Sequence, residues 1–529
     1  MQATASPARA ASPAARGRGP KELRTTPPRP LTSRAASHPT YQVRNAWRVS
    51  QARERGVGSC MPRGPTSRKP SLLPRFDRPR RALQNAAVPL DLLVVSNVWP
   101  PHFIGGYELG AADLVAGLER RGHRVTVLTS TYGVPTPRRD GNVHRLLFEE
   151  IHFRPLGLAA TLATTLESAR ALPLVRRFLG RARFTVVCLF NPLGLNATVV
   201  QRICDSGPPV VAYVSDDWVA RWPACDRLLA KWWLPRPHLP GSQQLALRAL
   251  RRLLTSLHVL TPEPDRLPIR HALFVSRFVR DISRARLPSL ATADIIPWGI
   301  DASRFPFRAR RAAELGNWTY VGQIERHKGL ETAVEAVKLL RARGEAVRLA
   351  LHGHDTGGFA GQLKERVECE GLSRWVTFAG RRPRERVWQE AYEPGGLFVL
   401  PSTWDEPFPI ALLEAFASGV PVLTTATGGT GELAREGQTA TVFRAGDAGH
   451  LVERYLELLR APERAAANAR RARSIVDRYL RLETMVERVE ARLIAVAEGR
   501  AGAVDDPDGQ EIHPWERAAP EEPSPAAVG

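Results

Sequence analysis

The apolar positions of this chain fall into short runs, each followed by a polar stretch and then a helix-spaced apolar face. Leu92-Leu93-Val94-Val95 is the first run, with an amphipathic segment over 108–121 behind it. Runs at 124–129, 185–189, 209–213, 272–275 and 294–297 continue the series. A second series opens at 318–322. Its first helix carries Leu330, Ala333, Val334, Val337 and Leu340, spaced for one face of a 3.6-residue helix. Further runs lie at 348–351, 375–378, 397–400 and 420–423. Apolar runs alternating with helical patterns predict parallel strands covered on both faces. About twelve such units are too many for one sheet. The pattern therefore predicts two doubly wound α/β domains, joined near residues 304–312. A last helix with Met485, Val486, Val489, Leu493 and Val496 on one side is expected to act as a brace.

The two ends lack this periodicity. Residues 1–87 are rich in Pro, Arg, Ala and Ser, and residues from about 501 are acidic and Pro-rich; both compositions predict disorder. The first 90 residues carry a net charge of +15, out of +22 for the whole chain. This stretch superficially resembles an organellar transit peptide; a misassigned start codon is the alternative. Only six of the 75 basic residues are lysine, which reads as a compositional preference for arginine. The charge is then mainly scattered and solvated, and no nucleic-acid partner is expected.

Five cysteines, none in a CxxC pair, suggest neither a disulfide framework nor a zinc site, and fit a reducing compartment. No apolar stretch reaches the ~18 residues of a membrane-spanning helix. A cytoplasmic protein is expected, with peripheral contact at the inner face of the cell membrane. Between Asp216 and His258 stand Trp218, Trp222, Trp232 and Trp233 among Arg221, Arg227, Lys231 and Arg236. Trp beside basic residues suits an anionic membrane interface, and equally a capped surface lobe.

Three strand-to-helix junctions carry candidate chemistry. Gly105-Gly106 follows the first strand; paired glycines there let backbone approach a ligand, and a helix N-terminus favours anions. The pattern is not GxGxxG, which disfavours a dinucleotide. Gln323-Ile324-Glu325-Arg326-His327-Lys328-Gly329 follows the strand at 318–322. Lys328 could neutralise a phosphate as a point charge, and no Walker pattern is present. The third junction is Glu406-Pro407-Phe408-Pro409-Ile410, with Glu414 eight residues after Glu406. The first helical amides, about Ile410 to Leu412, lack intrahelical partners. Free amides suit a diphosphate, and carboxylates suit the hydroxyls of sugars. Thr427-Gly428-Gly429-Thr430-Gly431-Glu432 repeats the design one strand later.

At these residues the chain resembles retaining glycosyltransferases of family 4, over roughly residues 90–497. Their Glu-Pro-Phe-Gly…Glu pattern matches Glu406, Pro407, Phe408 and Glu414. Their Gly-Gly-x-x-Glu loop matches Gly428, Gly429 and Glu432, their Lys-Gly matches Lys328 and Gly329, and their N-terminal Gly-Gly matches Gly105 and Gly106. The resemblance implies a GT-B fold with two Rossmann-like domains facing a cleft. It places acceptor binding in 88–305, nucleotide-sugar binding in 306–480, the brace in 481–498 and a tail at 499–529. It further implies a nucleoside-diphosphate sugar as donor, a carbohydrate or glycolipid acceptor, and neither metal nor cofactor. Glu406 and Lys328 take the catalytic roles: Glu406 ligates the donor sugar near its anomeric centre, and Glu414 binds the ribose. Gly105, Gly106, Gln323, Phe408, Ile410, Gly428, Gly429 and Glu432 complete the expected donor site, and Asp216 and Trp218 are expected to face the acceptor.

Three positions depart from the family pattern. Gln323 stands where arginine usually flanks the diphosphate, a role Arg326 could take up. Pro409 replaces a glycine and has no N–H to donate. Ser215-Asp216 replaces a His-Asp pair. These departures keep open a GT-B protein that binds a sugar nucleotide without transferring it; a sugar-nucleotide epimerase or a phosphorylase is the second enzyme reading.

Overall fold

The computed structural model describes residues 89–148, 158–222, 232–233, 239–263, 265–355, 357–500, 513 and 515. The expectations for 1–87 and for most of 499–529 fall outside the described residues, as do Arg227, Lys231 and Arg236.

The first series forms an eight-stranded sheet. Strand β1 (Asp91–Ser96) leads into α1 (Gly106–Arg120), β2 (Arg124–Ser130) and a hairpin of β3 (Arg138–Asp140) with β4 (Val143–Leu147). Helices α2 (Leu158–Ala169) and α3 (Ala171–Leu179) precede β5 (Val186–Leu189) and α4 (Ala197–Cys204). β6 (Val210–Val214), α5 (Gly241–Ser256), β7 (His271–Phe274), α6 (Arg277–Arg284) and β8 (Thr292–Ile295) complete it. The order is β3-β4-β2-β1-β5-β6-β7-β8, parallel except for β3 against β4. Leu92 to Val95 are buried because helices cover both faces of the sheet. The hairpin was not legible in the apolar pattern, since β3 is the polar edge Arg138-Arg139-Asp140. The two-residue loop Gly141-Asn142 was its only sequence mark.

The second series forms a six-stranded parallel sheet. It runs β9 (Asn317–Val321), α7 (Leu330–Ala342), β10 (Arg348–His352), α8 (Phe359–Cys369) and β11 (Val376–Gly380). Then come β12 (Leu397–Leu400), α9 (Ile410–Ser418), β13 (Val422–Thr424), α10 (Thr430–Leu433) and β14 (Thr441–Val442). The order is β11-β10-β9-β12-β13-β14. The apolar face expected of α7 is buried in full: Leu330, Ala333, Val334, Val337 and Leu340.

After α11 (Ala448–Arg460) and α12 (Pro462–Tyr479), α13 (Leu482–Ala497) crosses back to the first sheet. The chain there is tied by Ile300 N–H to the Leu480 carbonyl at 3.0 Å, and by Leu482 N–H to the Ile300 carbonyl at 2.9 Å. Arg492 on α13 pairs with Asp294 on β8. Val486 fills the space beside Gly117 of α1, where a Cβ would stand 2.4 Å from it.

The tryptophans between Asp216 and His258 turn inward. Trp218, Trp222 and Trp232 are 0, 2 and 5% exposed, so these three are core residues and not a membrane belt. Among the described residues no helix is long and apolar enough to cross a membrane.

Candidate functional site

Strand order fixes where the site lies. From β9 the chain winds one way, to β10 and β11; from β12 it winds the other way, to β13 and β14. Ligands of open α/β sheets bind outside the strand carboxyl ends at such a switch point. Lys328 follows β9 and Glu406 follows β12, so the loops flanking the switch carry the two residues. The Lys328 ammonium donates to both Glu406 carboxylate oxygens, at 2.8 and 2.9 Å. Their side chains are 16 and 6% exposed. Gly329 makes the approach sterically feasible: its φ is +67°, and a Cβ there would meet the Pro401 carbonyl oxygen at 1.9 Å.

The first sheet has its own switch, between β1 and β5, and its glycine loop meets the second sheet's loops at Gln323 and Ile410. The Gly105-Gly106 loop leaves β1 and opens α1. Both Glu108 oxygens accept amides from this loop, Ile104 at 2.9 Å and Gly105 at 3.0 Å. Burial pushes the Glu108 carboxyl up to about 7. Gln323 donates its side-chain amide to the Ile104 carbonyl at 2.9 Å. A Cβ on Gly106 would stand 3.5 Å from the Ile410 side chain. The glycine loop, Gln323 and the start of α9 are thus brought together from three parts of the chain.

Pro409 is the N-cap of α9, and Phe408 before it is buried. Pro409 contributes a carbonyl, which accepts the Leu412 amide at 3.1 Å. Leu412 is therefore not one of the free amides, as the sequence had suggested. Ile410 and Ala411 remain to face an anion at the helix start. In the second turn, Glu414 accepts the Tyr392 hydroxyl at 2.8 Å. Burial pushes its carboxyl up to about 7, against the pull of Tyr392 and Arg384.

Other expected site residues are placed elsewhere. Both Glu432 oxygens cap α6 of the first sheet, accepting Phe278 N–H at 2.9 Å and Arg277 N–H at 3.1 Å. His513 also reaches Glu432, at 2.5 Å, and the Trp515 indole donates to the Glu432 carbonyl at 3.0 Å. Its carboxylate thus bonds α6 of the first sheet and His513, the contacts of a clasp between the two halves. Gly428 and Gly429 press on the Glu406 loop: a Cβ on Gly429 would meet the Pro407 carbonyl at 1.9 Å, and its amide bonds the Glu406 carbonyl at 2.7 Å. They shape that loop from behind.

Arg326 pairs with Glu331 at 2.7 Å and bonds Gln362 at 2.9 Å, on the outer surface. It does not replace the arginine missing at Gln323. Trp218 is wholly buried, so its indole offers no surface to an acceptor. Asp216 accepts from Asn191 at 2.6 Å and from the Trp218 amide at 2.9 Å, and burial pushes its carboxyl up to about 7. It stands at the carboxyl end of β6. The Ser215 hydroxyl is buried without a partner among the described residues.

Several further contacts cross the cleft. Arg384 pairs with Asp113 of α1, and the Arg381 guanidinium lies 3.8 Å over the Phe103 ring. The Ser276 hydroxyl donates to the Pro407 carbonyl at 2.8 Å. Phe103, Ser276, Arg381 and Arg384 follow strand ends, whereas Asp113 stands within α1.

Comparison with known proteins agrees with this architecture. Residues 104–304 match the model of Glycosyltransferase Family 4, and residues 312–475 match Glycosyl transferases group 1. Glycogen synthase of Mycobacterium tuberculosis is 34% identical over 190 residues, 35% of this chain and 44% of that protein. The matched stretch thus spans less than half the length of this curated relative. Sucrose-phosphate synthase from Thermosynechococcus elongatus has the same fold, with a TM-score of 0.56 at 17% identity over 76% of this chain and 97% of that one. Anabaena HepE in complex with UDP-glucose gives a TM-score of 0.52 at 17% identity, over 76% of this chain and 98% of its own. Two parallel sheets joined across a cleft, with both halves matched in order along the chain, make this protein a member of glycosyltransferase family 4 with the GT-B fold.

Proposed function

We propose that the protein transfers a sugar, with retention, from a nucleoside-diphosphate sugar to an acceptor hydroxyl on a carbohydrate or glycolipid. The observation that carries this reading is the Lys328–Glu406 pair at the switch point, beside the free amides of α9 and opposite the Gly105-Gly106 loop. HepE binds UDP-glucose on the same fold, which supports a sugar nucleotide in this cleft. Glycogen synthase, a relative, supports a setting in polysaccharide synthesis.

In this mechanism the bond from the anomeric carbon to the diphosphate breaks while the bond to the acceptor oxygen forms on the same face. The acceptor proton passes to the leaving phosphate oxygen. Lys328 and the Ile410 and Ala411 amides neutralise the charge developing on the diphosphate. This division of labour assigns no metal ion and no cofactor. Glu406 holds the sugar hydroxyls, and Glu414 takes the ribose. Bringing the two halves together over the donor orients the acceptor and excludes water.

The test is a transfer and donor-hydrolysis assay on Glu406→Ala and Lys328→Ala; wild-type rates in both would sink the assignment. A second reading, donor binding without turnover, is favoured by one observation: Gln323 is neutral and engaged with Ile104, so the diphosphate lacks one cationic arm. A nucleotide that stabilises the protein while no acceptor yields product selects that reading.

A further inference from the structure

Helix α5 is apolar on two faces. Leu247, Leu250 and Leu254 turn inward, packing with Trp232, Leu260 and, from α2, Leu162 in a small cluster apart from the main core. Leu245, Leu253 and Leu257, at the other face, are 69, 54 and 61% exposed. Their spacing lines them along one stripe of the helix. Leu166 of α2 and Leu174 of α3 are exposed as well. Five of the seven large exposed hydrophobics among the described residues therefore sit on this one lobe. Apolar residues gathered this way mark an interaction surface, whereas single exposed leucines would mean nothing.

The charge of the lobe says what it meets. Segments 158–183 and 241–258 hold eight arginines and one acid, Glu167. Arg248 and Arg252 border the leucine stripe, are exposed, and make no hydrogen bond or ion pair with a described residue. Leucines flanked by unpaired guanidinium groups match the boundary of a lipid bilayer, where acyl chains take the leucines and headgroup phosphates take the arginines. A second copy of the chain fits poorly, because a symmetric contact would set these arginines against each other.

We propose that α5, with the neighbouring surface of α2 and α3, docks on an anionic lipid surface and lies in the plane of the interface. The membrane-facing element is thus the leucine stripe of α5, in place of the buried Trp218, Trp222 and Trp232. Nothing in this proposal depends on donor chemistry.

The experiment is co-sedimentation of the full chain with vesicles of phosphatidylglycerol and phosphatidylcholine, or of phosphatidylcholine alone, at low and high salt. The Arg-rich first 90 residues carry a net charge of +15, and high salt screens whatever attraction that charge adds. Expected is binding to the anionic vesicles that survives high salt and falls by roughly tenfold or more in L245S/L253S/L257S. Arg248→Glu with Arg252→Glu lowers binding at low salt by roughly tenfold, with the leucines intact. Circular dichroism verifies that the variants, all at exposed positions, remain folded. Wild-type sedimentation of the leucine variant overturns the proposal, and so does failure of the wild-type protein to bind anionic vesicles at high salt. Size exclusion that shows a dimer broken by the leucine substitutions, with vesicle binding unchanged, assigns the face to a second copy and overturns it too. Nucleotide-induced thermal shifts on the same variants are expected to match wild type, which keeps this outcome separate from the fate of the transferase reading.

Discussion

Lys328 donates to both carboxylate oxygens of Glu406, at 2.8 and 2.9 Å, although 78 residues separate them in sequence. Among the described residues neither has another side-chain partner, and both are largely buried. Removing one partner leaves the other charge buried and unpaired, a loss of about 3–5 kcal/mol. Lys328→Met and Glu406→Gln are each expected to lower the melting temperature and to cut transfer by roughly a hundredfold or more. The double variant is expected to regain part of the stability and none of the turnover. Thermal melts and initial rates on all four proteins give the cycle; turnover recovered in the double variant would contradict the donor-side role of the pair.

Gln323 offers a test by gain of function. Its amide holds the Ile104 carbonyl, and Arg326 is turned toward Glu331. A charge-assisted hydrogen bond contributes about 1.5–3 kcal/mol. Gln323→Arg is therefore expected to tighten nucleoside-diphosphate binding by roughly tenfold or more, read by calorimetry. Unchanged affinity would mean that the diphosphate lies away from this loop.

Glu432 separates clasp from ligand. Its carboxylate caps the start of α6 through Arg277 and Phe278. Glu432→Ala is expected to destabilise the protein by about 1–2 kcal/mol, the usual loss for an N-terminal cap. Nucleotide affinity of the folded variant is expected to stay at the wild-type value. A large loss of affinity with little loss of stability would return Glu432 to the donor site.

The pH dependence of Glu414 has opposite signs for stability and for binding. Its carboxyl titrates near 4.5 when unperturbed and is raised to about 7 by burial. The folded state then holds the proton more tightly than the unfolded chain. The stability this contributes is complete below about pH 4.5 and is lost as pH rises through about 7. Glu414→Gln should flatten that decline in urea melts, while Glu108 and Asp216, also raised to about 7, keep the rest of it. Binding runs the other way, since only the ionised carboxylate accepts two ribose hydroxyls. Nucleotide affinity is expected to rise through pH 7 in the wild type and not in Glu414→Gln. A pH-independent wild-type affinity would count against the ribose role.

The sequence by itself determined the parallel sheets and their order of appearance. Strands such as Leu92–Val95 and Leu397–Leu400 are continuous apolar runs because helices bury both faces, and that demand is local enough to read. It also placed Glu406, Lys328 and the Gly105-Gly106 loop at strand ends, where open sheets bind ligands. The hairpin β3–β4 escaped because its edge strand is polar and faces solvent. Only the tertiary structure decided what each polar group is used for. Glu406 and Glu432 look alike in sequence, each near a helix start beside a proline or a glycine pair. One meets Lys328 from the loop after β9; the other meets two amides of α6 from the opposite sheet. Trp218, expected to face an acceptor, is packed into the core. The physical reason is common to all of these. Burial and partnership are set by non-local packing, which the local pattern of residue types does not carry.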